Sequence, residues 1–375
     1  MTSVAGGVRH LYVHLPFCAH RCGYCDFVTL VGRPEQHARY VDALRAELEL
    51  EQGVLSQPLD SVFLGGGTPT FTEPAALRSL LAALPAASEV TIEANPETVN
   101  AEVAELLAES GITRISLGAQ TFQPKLLEVL ERRAEPDDVR RAIYHLRDVH
   151  IDNISLDLIY GIPGQEPSDL ERDLDEALAL ESDHLSCYEL EAKPGTRFTH
   201  AHGDELVRQA DAMEGYFERV VERLVADGYR WYETANFCRA GRQSRHNLGY
   251  WLGRDYLGLG IGAVSTVAGL RWRTAPSLGG YLRALEAGSA PARETEPIDD
   301  DTYRCERLML GLRLDEPVPF AEVEGAVNHG AFERLERLGL VERRPDGLIL
   351  TRRGRFLGDA VTVELLEESL EMATL

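Results

Sequence analysis

An alternation of short apolar runs with amphipathic runs fills the first half of this 375-residue chain and limits its fold more than any other feature. Six runs are predicted to be buried strands, at residues 11–15, 61–64, 90–93, 114–117, 153–158 and 184–190. Five helical patterns separate them, at residues 34–50, 73–84, 101–110, 137–148 and 166–180, several of them entered by proline or an acidic residue. Repeated strand–helix–strand units of this kind predict a parallel sheet.

Six such units can curl into an open barrel or lie flat as a doubly wound sheet. We predict an α/β fold with a partial (β/α)6 TIM-like barrel. The flat sheet stays open as the alternative, because the strand pattern alone barely separates the two. In a barrel the loops that follow the strands meet at one rim, and active sites of barrel proteins lie there.

The alternation fades after about residue 190. A long helix at residues 204–227, a strand at 229–234 and a glycine-rich segment at 253–269 predict an accessory α/β layer. From residue 302 onward, a helix at 304–311, a helix ending at Leu338, a turn at 345–347, a strand and a terminal helix predict a small winged-helix-like domain. We therefore expect three domains, at residues 1–195, 196–300 and 301–375.

The charge balance limits the partners. The chain has 38 Lys and Arg residues against 61 Asp and Glu residues, and its net charge of -23 disfavours DNA or another nucleic acid as a partner. The first ten residues lack the apolar core of a signal peptide, and no stretch offers the ~20 apolar residues of a membrane-spanning helix. We expect a cytoplasmic location, free or peripheral at a membrane.

Three of the six cysteines lie within eight residues. Cys18, Cys22 and Cys25 have the spacing C-x3-C-x2-C directly after the first predicted strand, which places them on the rim. Three thiolates can hold three irons of a [4Fe-4S] cluster and leave the fourth iron open. The alternatives are a zinc site completed by His14 or His20, or unpaired thiols, although the spacing fits no common zinc pattern. The remaining cysteines are isolated and are expected to be buried apolar thiols: Cys187, Cys238 and Cys305.

Glycines and polar residues follow the later strands. Gly65, Gly66 and Gly67 end the second strand, where glycine allows a ligand to touch the backbone. Polar residues also stand near the ends of the third, fourth and fifth strands: Glu93, Gln120 and Asp157. Taken alone, each of these residues is more readily explained as a solvated residue or a helix cap, but all of them are expected to lie at the same rim. Their joint placement predicts a ligand site.

The segment LYVHLPFCAHRCGYCDF and the later GGGTPT resemble the radical S-adenosylmethionine (SAM) superfamily. The resemblance implies that SAM chelates the open iron of the cluster through its amino and carboxylate groups. It further implies that SAM is bound by nine residues: Tyr12, Phe27, Gly66, Gly67, Thr68, Glu93, Gln120, Arg132 and Asp157. Relatives often have histidine two residues after this arginine, where the chain has Ala134.

YVHLPFC, GGGTPT, GAQTF, DLIYGIPGQ and LILTRRGRFLGD narrow the resemblance to the group around oxygen-independent coproporphyrinogen III oxidase. Two functions compete in this group. One is the oxidative decarboxylation of coproporphyrinogen III propionates in heme biosynthesis, and the other is heme binding and transfer by heme chaperones. Oxidases carry a further cysteine where this chain has Phe27, and they extend well upstream of the first strand. Both departures favour the heme chaperone.

The segment His246-Asn247-Leu248-Gly249-Tyr250-Trp251 resembles the HNxxYW heme-binding signature of those chaperones. A neutral imidazole can ligate heme iron, the aromatic rings offer flat apolar surface, and Asn247 can donate or accept a hydrogen bond. We therefore predict heme contact by His246, Asn247, Tyr250 and Trp251, with the axial ligand left open. Nearby arginines are candidates for pairing with heme propionates or for a solvated surface: Arg242, Arg245, Arg271 and Arg273.

The same resemblance implies partners. They are heme, a heme-acceptor protein such as a membrane respiratory complex, and an electron donor for the cluster, with a homodimer as a further expectation. Whether the protein is an enzyme stays open. Either SAM is cleaved reductively, as elsewhere in the superfamily, or the cluster and SAM gate heme release, favour a dimer or report redox state.

Overall fold

The computed structural model of the protein describes residues 7–193 and 197–372. Its first region contains, in chain order, β1 (His10–Leu15), β2 (Phe17–Cys18), β3 (Leu30–Val31), α1 (Pro34–Glu51), β4 (Leu59–Gly66), α2 (Pro74–Ala83), β5 (Ala87–Ala94), α3 (Ala101–Glu109), β6 (Arg114–Gln120), α4 (Pro124–Val129), α5 (Pro136–Asp148), β7 (Ile154–Tyr160), α6 (Pro167–Ala179) and β8 (His184–Glu189). Proline at the first helical position starts many of these helices, because that position needs no backbone donor.

The remaining elements follow in two groups. The middle group is α7 (Arg197–Gln209), α8 (Met213–Ala226), β9 (Arg230–Glu233), β10 (Asn236–Cys238), α9 (Arg245–Trp251), β11 (Tyr256–Leu259), β12 (Val264–Val267), β13 (Leu270–Thr274), α10 (Leu278–Glu286) and β14 (Arg293–Pro297). The last group is α11 (Asp300–Gly311), α12 (Phe320–Val323), α13 (His329–Arg337), β15 (Val341–Arg344), β16 (Gly347–Leu350), α14 (Arg352–Phe356) and α15 (Gly358–Met372).

One twelve-stranded sheet joins the first two groups, in the order β14-β13-β12-β11-β1-β4-β5-β6-β7-β8-β10-β9. Six neighbouring strands in that order pair in parallel, namely β1, β4, β5, β6, β7 and β8. This confirms the predicted parallel sheet and the partial barrel. The middle group continues the sheet at both edges, in parallel at β11 and then in antiparallel hairpins. The accessory region is therefore an extension of the barrel sheet.

Side chains on the two faces of the barrel strands differ sharply in polarity. The outward positions are apolar and fully buried under the helices, as in Leu11, Val13 and Leu15 of β1. The inward positions alternate with them and are mostly polar, aromatic or glycine, as in Tyr12 and Glu93. The barrel therefore encloses a polar lumen, and its hydrophobic core lies between the sheet and the helices.

The predicted helix at residues 204–227 is wrong. The chain forms α7 and α8 with a 3-10 turn at Ala210–Ala212 between them. Residues on both sides of the turn are anchored to the loop after β7, since Gln209 Nε2 donates to Ile162 O at 3.0 Å and the Tyr216 hydroxyl donates to Gln165 O at 2.8 Å. These tertiary contacts break the helix, and local periodicity does not encode them. The short helix α4 was also not predicted.

The last group has a hydrophobic core of its own, formed around Leu308, Phe332, Leu348 and Leu365. Helices α11 to α13 precede the β15–β16 hairpin, which gives the winged-helix-like arrangement predicted from the sequence. It contacts the barrel edge through Arg355, whose guanidinium lies 3.6 Å from the centre of the Trp231 ring. In the part of the chain that the structure describes, no helix is long and apolar enough to cross a bilayer.

Candidate functional site

The loop between β1 and α1 carries the three clustered cysteines at the rim. The two-stranded pair β2 and β3 closes this loop, with Cys18 opposite Val31, and Gly32 N donates to Cys18 O at 2.8 Å. Cys25 N donates to Cys22 O at 3.3 Å, which folds the intervening residues into a turn. The loop therefore holds its thiols in a compact segment whose two ends are fixed by backbone hydrogen bonds.

Polar donors from other strands reach two of the sulfurs. The Thr68 hydroxyl lies 3.6 Å from Cys18 Sγ, and Arg132 Nη1 lies 3.7 Å from Cys22 Sγ. Asn95 links these donors, because it donates to Thr68 Oγ1 at 3.0 Å and accepts from Arg132 Nη2 at 3.0 Å. Hydrogen bonds and positive charge at the sulfurs are the means by which proteins stabilise and tune an iron–sulfur cluster.

These residues fit a three-cysteine cluster. Burial, together with the neighbouring Cys25 and Cys22 thiols, raises the pKa of Cys18 to about 11. Each iron of a cluster takes one thiolate, so the sulfurs need not converge on one point. Among residues 7–193 and 197–372, no three His, Cys, Asp or Glu side chains are placed to hold a single metal ion.

His14 belongs to the frame of the loop. Its Nε2 pairs with Val28 O at 2.8 Å and its Nδ1 pairs with the Tyr12 hydroxyl at 3.0 Å, so both ring nitrogens are occupied. Burial lowers the pKa of His14 to about 4, which keeps the ring neutral at physiological pH. The histidine therefore fixes the end of the cysteine loop to the first strand.

The glycine turn after β4 passes directly beneath the loop. Gly67 N donates to Leu15 O at 2.8 Å, and a Cβ at Gly67 would lie 2.7 Å from the Pro16 carbonyl group. Gly66 has φ +112 and donates its N–H to Glu93 Oε2 at 3.0 Å. Only glycine allows the backbone to approach this closely and to adopt that φ.

The structure brings most of the predicted SAM residues together at the rim and in the upper lumen. Gly66 contacts Glu93, and Arg132 Nη2 also donates to Gly118 O at 2.8 Å, two residues before Gln120. Asp157 lies deeper and accepts hydrogen bonds from Ser116 at 2.9 Å. Phe27 stands apart, 61% exposed on the cysteine loop.

Two carboxyl groups in this region have raised pKa values. Burial raises the pKa of Glu93 to about 7, and it raises that of Asp157 as well, against hydrogen bonds from Ser186, Ser116 and Ser155. Protonated and ionised forms of Glu93 are therefore both accessible near neutral pH. Sequence reasoning missed Asn95, although its place two residues after Glu93 at a strand end was a usable signal.

The predicted heme segment lies at the opposite end of the barrel. His246 is 1% exposed, and its Nδ1 pairs with Ser61 Oγ at 2.8 Å while its Nε2 pairs with the Tyr250 hydroxyl at 2.9 Å. Its backbone N–H donates to Glu89 at 3.3 Å, and its ring stacks on Phe63 with centroids 5.0 Å apart. Since Ser61 and Glu89 lie near the starts of their strands, α9 closes the floor of the lumen.

A second chain of hydrogen bonds ties the same segment to the other side of the barrel. Ser155 Oγ pairs with His184 Nδ1 at 2.8 Å, His184 Nε2 pairs with the Tyr232 hydroxyl at 2.8 Å, and that hydroxyl accepts from Ser244 N at 3.3 Å. Sequence reasoning missed these residues, since nothing local to His184 or Tyr232 indicates a common floor. Burial lowers the pKa of His246 to about 3 and that of His184 well below its ordinary value.

The outer side of α9 faces the C-terminal domain. The Arg313 guanidinium lies 4.4 Å from the centre of the Trp251 ring, and the half-buried Asn247 lies on the same helix. Two of the arginines considered for propionates have carboxylate partners, Arg271 with Glu306 at 2.5 Å and Arg242 with Asp183 at 3.3 Å. Ala134 is buried close after Arg132.

Comparisons with known proteins place the whole chain among known sequences and folds. Residues 12–177 match the model of the radical SAM superfamily, and residues 298–357 match the HemN C-terminal domain. The chain is 36% identical to the heme chaperone HemW of Mycobacterium tuberculosis, over 95% of this chain and 94% of that protein. It is 34% identical to HemW of Bacillus subtilis, over 96% and 100% of the two chains. The solved structure of Escherichia coli coproporphyrinogen III oxidase (HemN), a radical SAM enzyme, has the same fold, with a TM-score of 0.80 at 21% identity over 96% of this chain and 90% of that one.

Proposed function

Because the chain belongs to the HemW family of heme chaperones, within the radical SAM superfamily, we propose that it binds heme and transfers it to an acceptor protein. The observation that carries this proposal is the extent of the similarity. It spans the barrel, the floor segment and the C-terminal domain alike, so it includes every part of the fold. The likeness to the oxidase rests on fold alone.

The cluster and SAM belong at the rim in this proposal. Cys18, Cys22 and Cys25 would hold the [4Fe-4S] cluster, with Thr68 and Arg132 donating to its sulfur ligands. Gly66, Gly67, Glu93, Gln120 and Asp157 would surround SAM, with Tyr12 below it and Phe27 at the outer edge. A bound cluster supplies one-electron chemistry to SAM, and the buried Arg132 keeps a positive charge next to the thiolates.

Heme belongs to the lumen in this proposal, and the HNxxYW segment forms its floor. His246 and Tyr250 contribute an aromatic and polar surface there, Asn247 and Trp251 complete the segment, and Arg313 packs on the Trp251 ring. Both ring nitrogens of His246 already have partners, so we assign the histidine a positioning role and not axial ligation. Flat aromatic surface of this kind suits a macrocycle.

The acceptor and the electron donor are further proposals. A membrane respiratory complex fits the heme demand that a chaperone would serve, and a reductant is needed for any electron that enters the cluster. A homodimer that forms on cluster loading is proposed from the resemblance alone. Each of these can be examined once heme binding has been measured.

The test uses one anaerobic sample reconstituted with iron and sulfide. Heme titration is expected to give a saturable Soret band at one heme per chain, and incubation with coproporphyrinogen III is expected to leave it unchanged. Mixing the loaded protein with heme-depleted membranes should move the Soret signal to the membrane fraction. Decarboxylation of coproporphyrinogen III would contradict the chaperone proposal and support the oxidase function instead.

A cysteine variant controls the cluster assignment. Substitution of Cys18, Cys22 and Cys25 by alanine is expected to abolish four-iron loading. Cys305→Ala is the matched control, because this thiol lies in the C-terminal domain away from the other five cysteines and should leave the iron content unchanged. Equal iron loss in both variants would refute the assignment.

A further inference from the structure

A buried cation without a partner lies at the bottom of the lumen. Arg114 is 2% exposed, and its Nε is completely buried with no hydrogen-bond partner. The structure shows no hydrogen bond or ion pair of its guanidinium with any residue in 7–193 and 197–372. An uncompensated buried charge is costly, and proteins almost always pair it.

The side chain points into the lumen. Arg114 pairs in register with Thr91 of β5, two residues below Glu93, and the inward face of β5 is the one that carries Glu93. Its charge acts on residues of both hydrogen-bonded chains of the floor, because it lowers the pKa of His246 and of His184. The guanidinium is therefore placed among the inward residues, between the two sides of the floor.

The nearest carboxylates do not neutralise it by contact. Glu93 accepts from Gly66 N at 3.0 Å, and Asp157 accepts from Ser116 at 2.9 Å and from Ser155 at 3.4 Å, so both carboxylates have other hydrogen-bond donors. The Arg114 charge lowers the pKa of both groups without a hydrogen bond to either, and burial outweighs it. The guanidinium keeps its full capacity for a bidentate bond.

A second unpaired group stands beside it. The Thr91 hydroxyl is 0% exposed and has no hydrogen-bond partner, and it is the direct register neighbour of Arg114. A guanidinium fork with an adjacent hydroxyl is a donor set that fits one carboxylate. On the neighbouring strands β1 and β4, Tyr12 and Phe63 stack with centroids 6.3 Å apart, which adds a flat apolar wall.

The lumen above this donor set is open to solvent. Tyr188 faces it and is 42% exposed, and Glu93 and Asp157 are only half-buried although they lie inside the barrel. Arg114 lies six residues below Gln120, or about 20 Å along the strand. A flat tetrapyrrole that enters edge-on from the rim points its carboxylate arms toward the floor.

We propose that Arg114, with Thr91, binds one propionate carboxylate of a tetrapyrrole that enters the lumen from the rim. This inference rests on the proposed function and adds the orientation of the ligand to it. The macrocycle lies against Tyr12 and Phe63, and its carboxylate neutralises the Arg114 guanidinium.

The experiment compares ferric heme with its dimethyl ester, which lacks the carboxylates. Soret titrations of the reconstituted protein should show that heme binds about tenfold to a hundredfold more tightly than the diester. Arg114→Gln should remove this preference while cluster content and circular dichroism stay unchanged. Arg78→Gln is the matched control, since Arg78 is exposed on α2, where it pairs with Glu109, and should keep the preference.

A milder variant covers the case in which Arg114→Gln does not fold. Thr91→Val keeps the shape and removes only the hydroxyl, and it should reduce the preference by about twofold to tenfold. Heme binding with no preference over the diester, or a preference that survives Arg114→Gln in a folded protein, would overturn the inference. Failure of the wild-type protein to bind either compound would instead overturn the proposed function.

Discussion

Replacing His246 by phenylalanine tests whether this histidine holds the floor of the lumen. Phenylalanine has a similar size and can stack on Phe63, so the change in buried apolar area is small. The loss comes from two hydrogen bonds, one to Ser61 Oγ and one to the Tyr250 hydroxyl. Removing one partner of a buried hydrogen bond costs about 1–3 kcal/mol.

The structure places both losses at the lower end of that range. Ser61 Oγ keeps His10 Nδ1 as a partner at 2.8 Å, and the half-buried Tyr250 can turn its hydroxyl toward water in the lumen. We therefore expect His246→Phe to lower the free energy of unfolding by about 2–3 kcal/mol. Urea denaturation followed by circular dichroism measures this change.

Asn247→Ala is the matched control on the same helix. The structure shows no hydrogen bond of the Asn247 side chain to any described residue, so the free energy of unfolding should change by less than about 0.5 kcal/mol. A loss below about 1 kcal/mol in His246→Phe would contradict the floor assignment. The ferric heme spectrum of the folded variant should match that of the wild type, and loss of a nitrogen ligand would show that His246 binds iron.

Three further predictions concern the rim. Gly67→Ala places a methyl group against a backbone carbonyl, so it should destabilise the protein by about 1–3 kcal/mol and lower the iron content. Gly215→Ala, at an open position on α8, should do neither. Equal iron content in the two variants would contradict the close approach at Gly67. Arg132→Met removes a positive charge next to Cys22 and should make the reduction potential of the cluster more negative in a redox titration. An unchanged potential would show that Arg132 does not interact with the cluster. Glu93 has a pKa raised to about 7 by burial, so the folded protein binds more protons than the unfolded chain from about pH 4.5 to 7 and its stability falls as pH rises through that window, by up to about 1.4 kcal/mol per pH unit. Glu93→Gln should make stability depend less on pH in denaturation experiments across this window. An unaltered pH dependence would show that other groups cause it.

The strands and the cluster loop were predictable because their determinants are local. Apolar runs of strand length between helical patterns identified β1, β4 and β5, and the cysteine spacing identified the loop after β1. The glycines after β4 were also visible, since a turn that touches the backbone needs glycine wherever it occurs. The helix break at Ala210–Ala212 was not predictable, because contacts with the loop after β7 produce it.

The role of His246 shows the same limit at the site. Its sequence neighbours indicated a heme segment, and only the fold revealed that Ser61, 185 residues earlier, holds its ring.

The sequence by itself determined the parallel sheet of strand–helix units, the cysteine loop at the end of its first strand and the group of proteins that the chain resembles. Each follows from patterns within a few residues, namely periodicity, spacing and glycine. The tertiary structure alone decided which polar side chains meet in the lumen, and it placed the HNxxYW segment at the floor, away from the cysteines. Among residues 7–193 and 197–372, it also left the Arg114 guanidinium without a hydrogen-bond or ion-pair partner. Those facts depend on how strands from distant parts of the chain register with one another, and no local pattern carries that register.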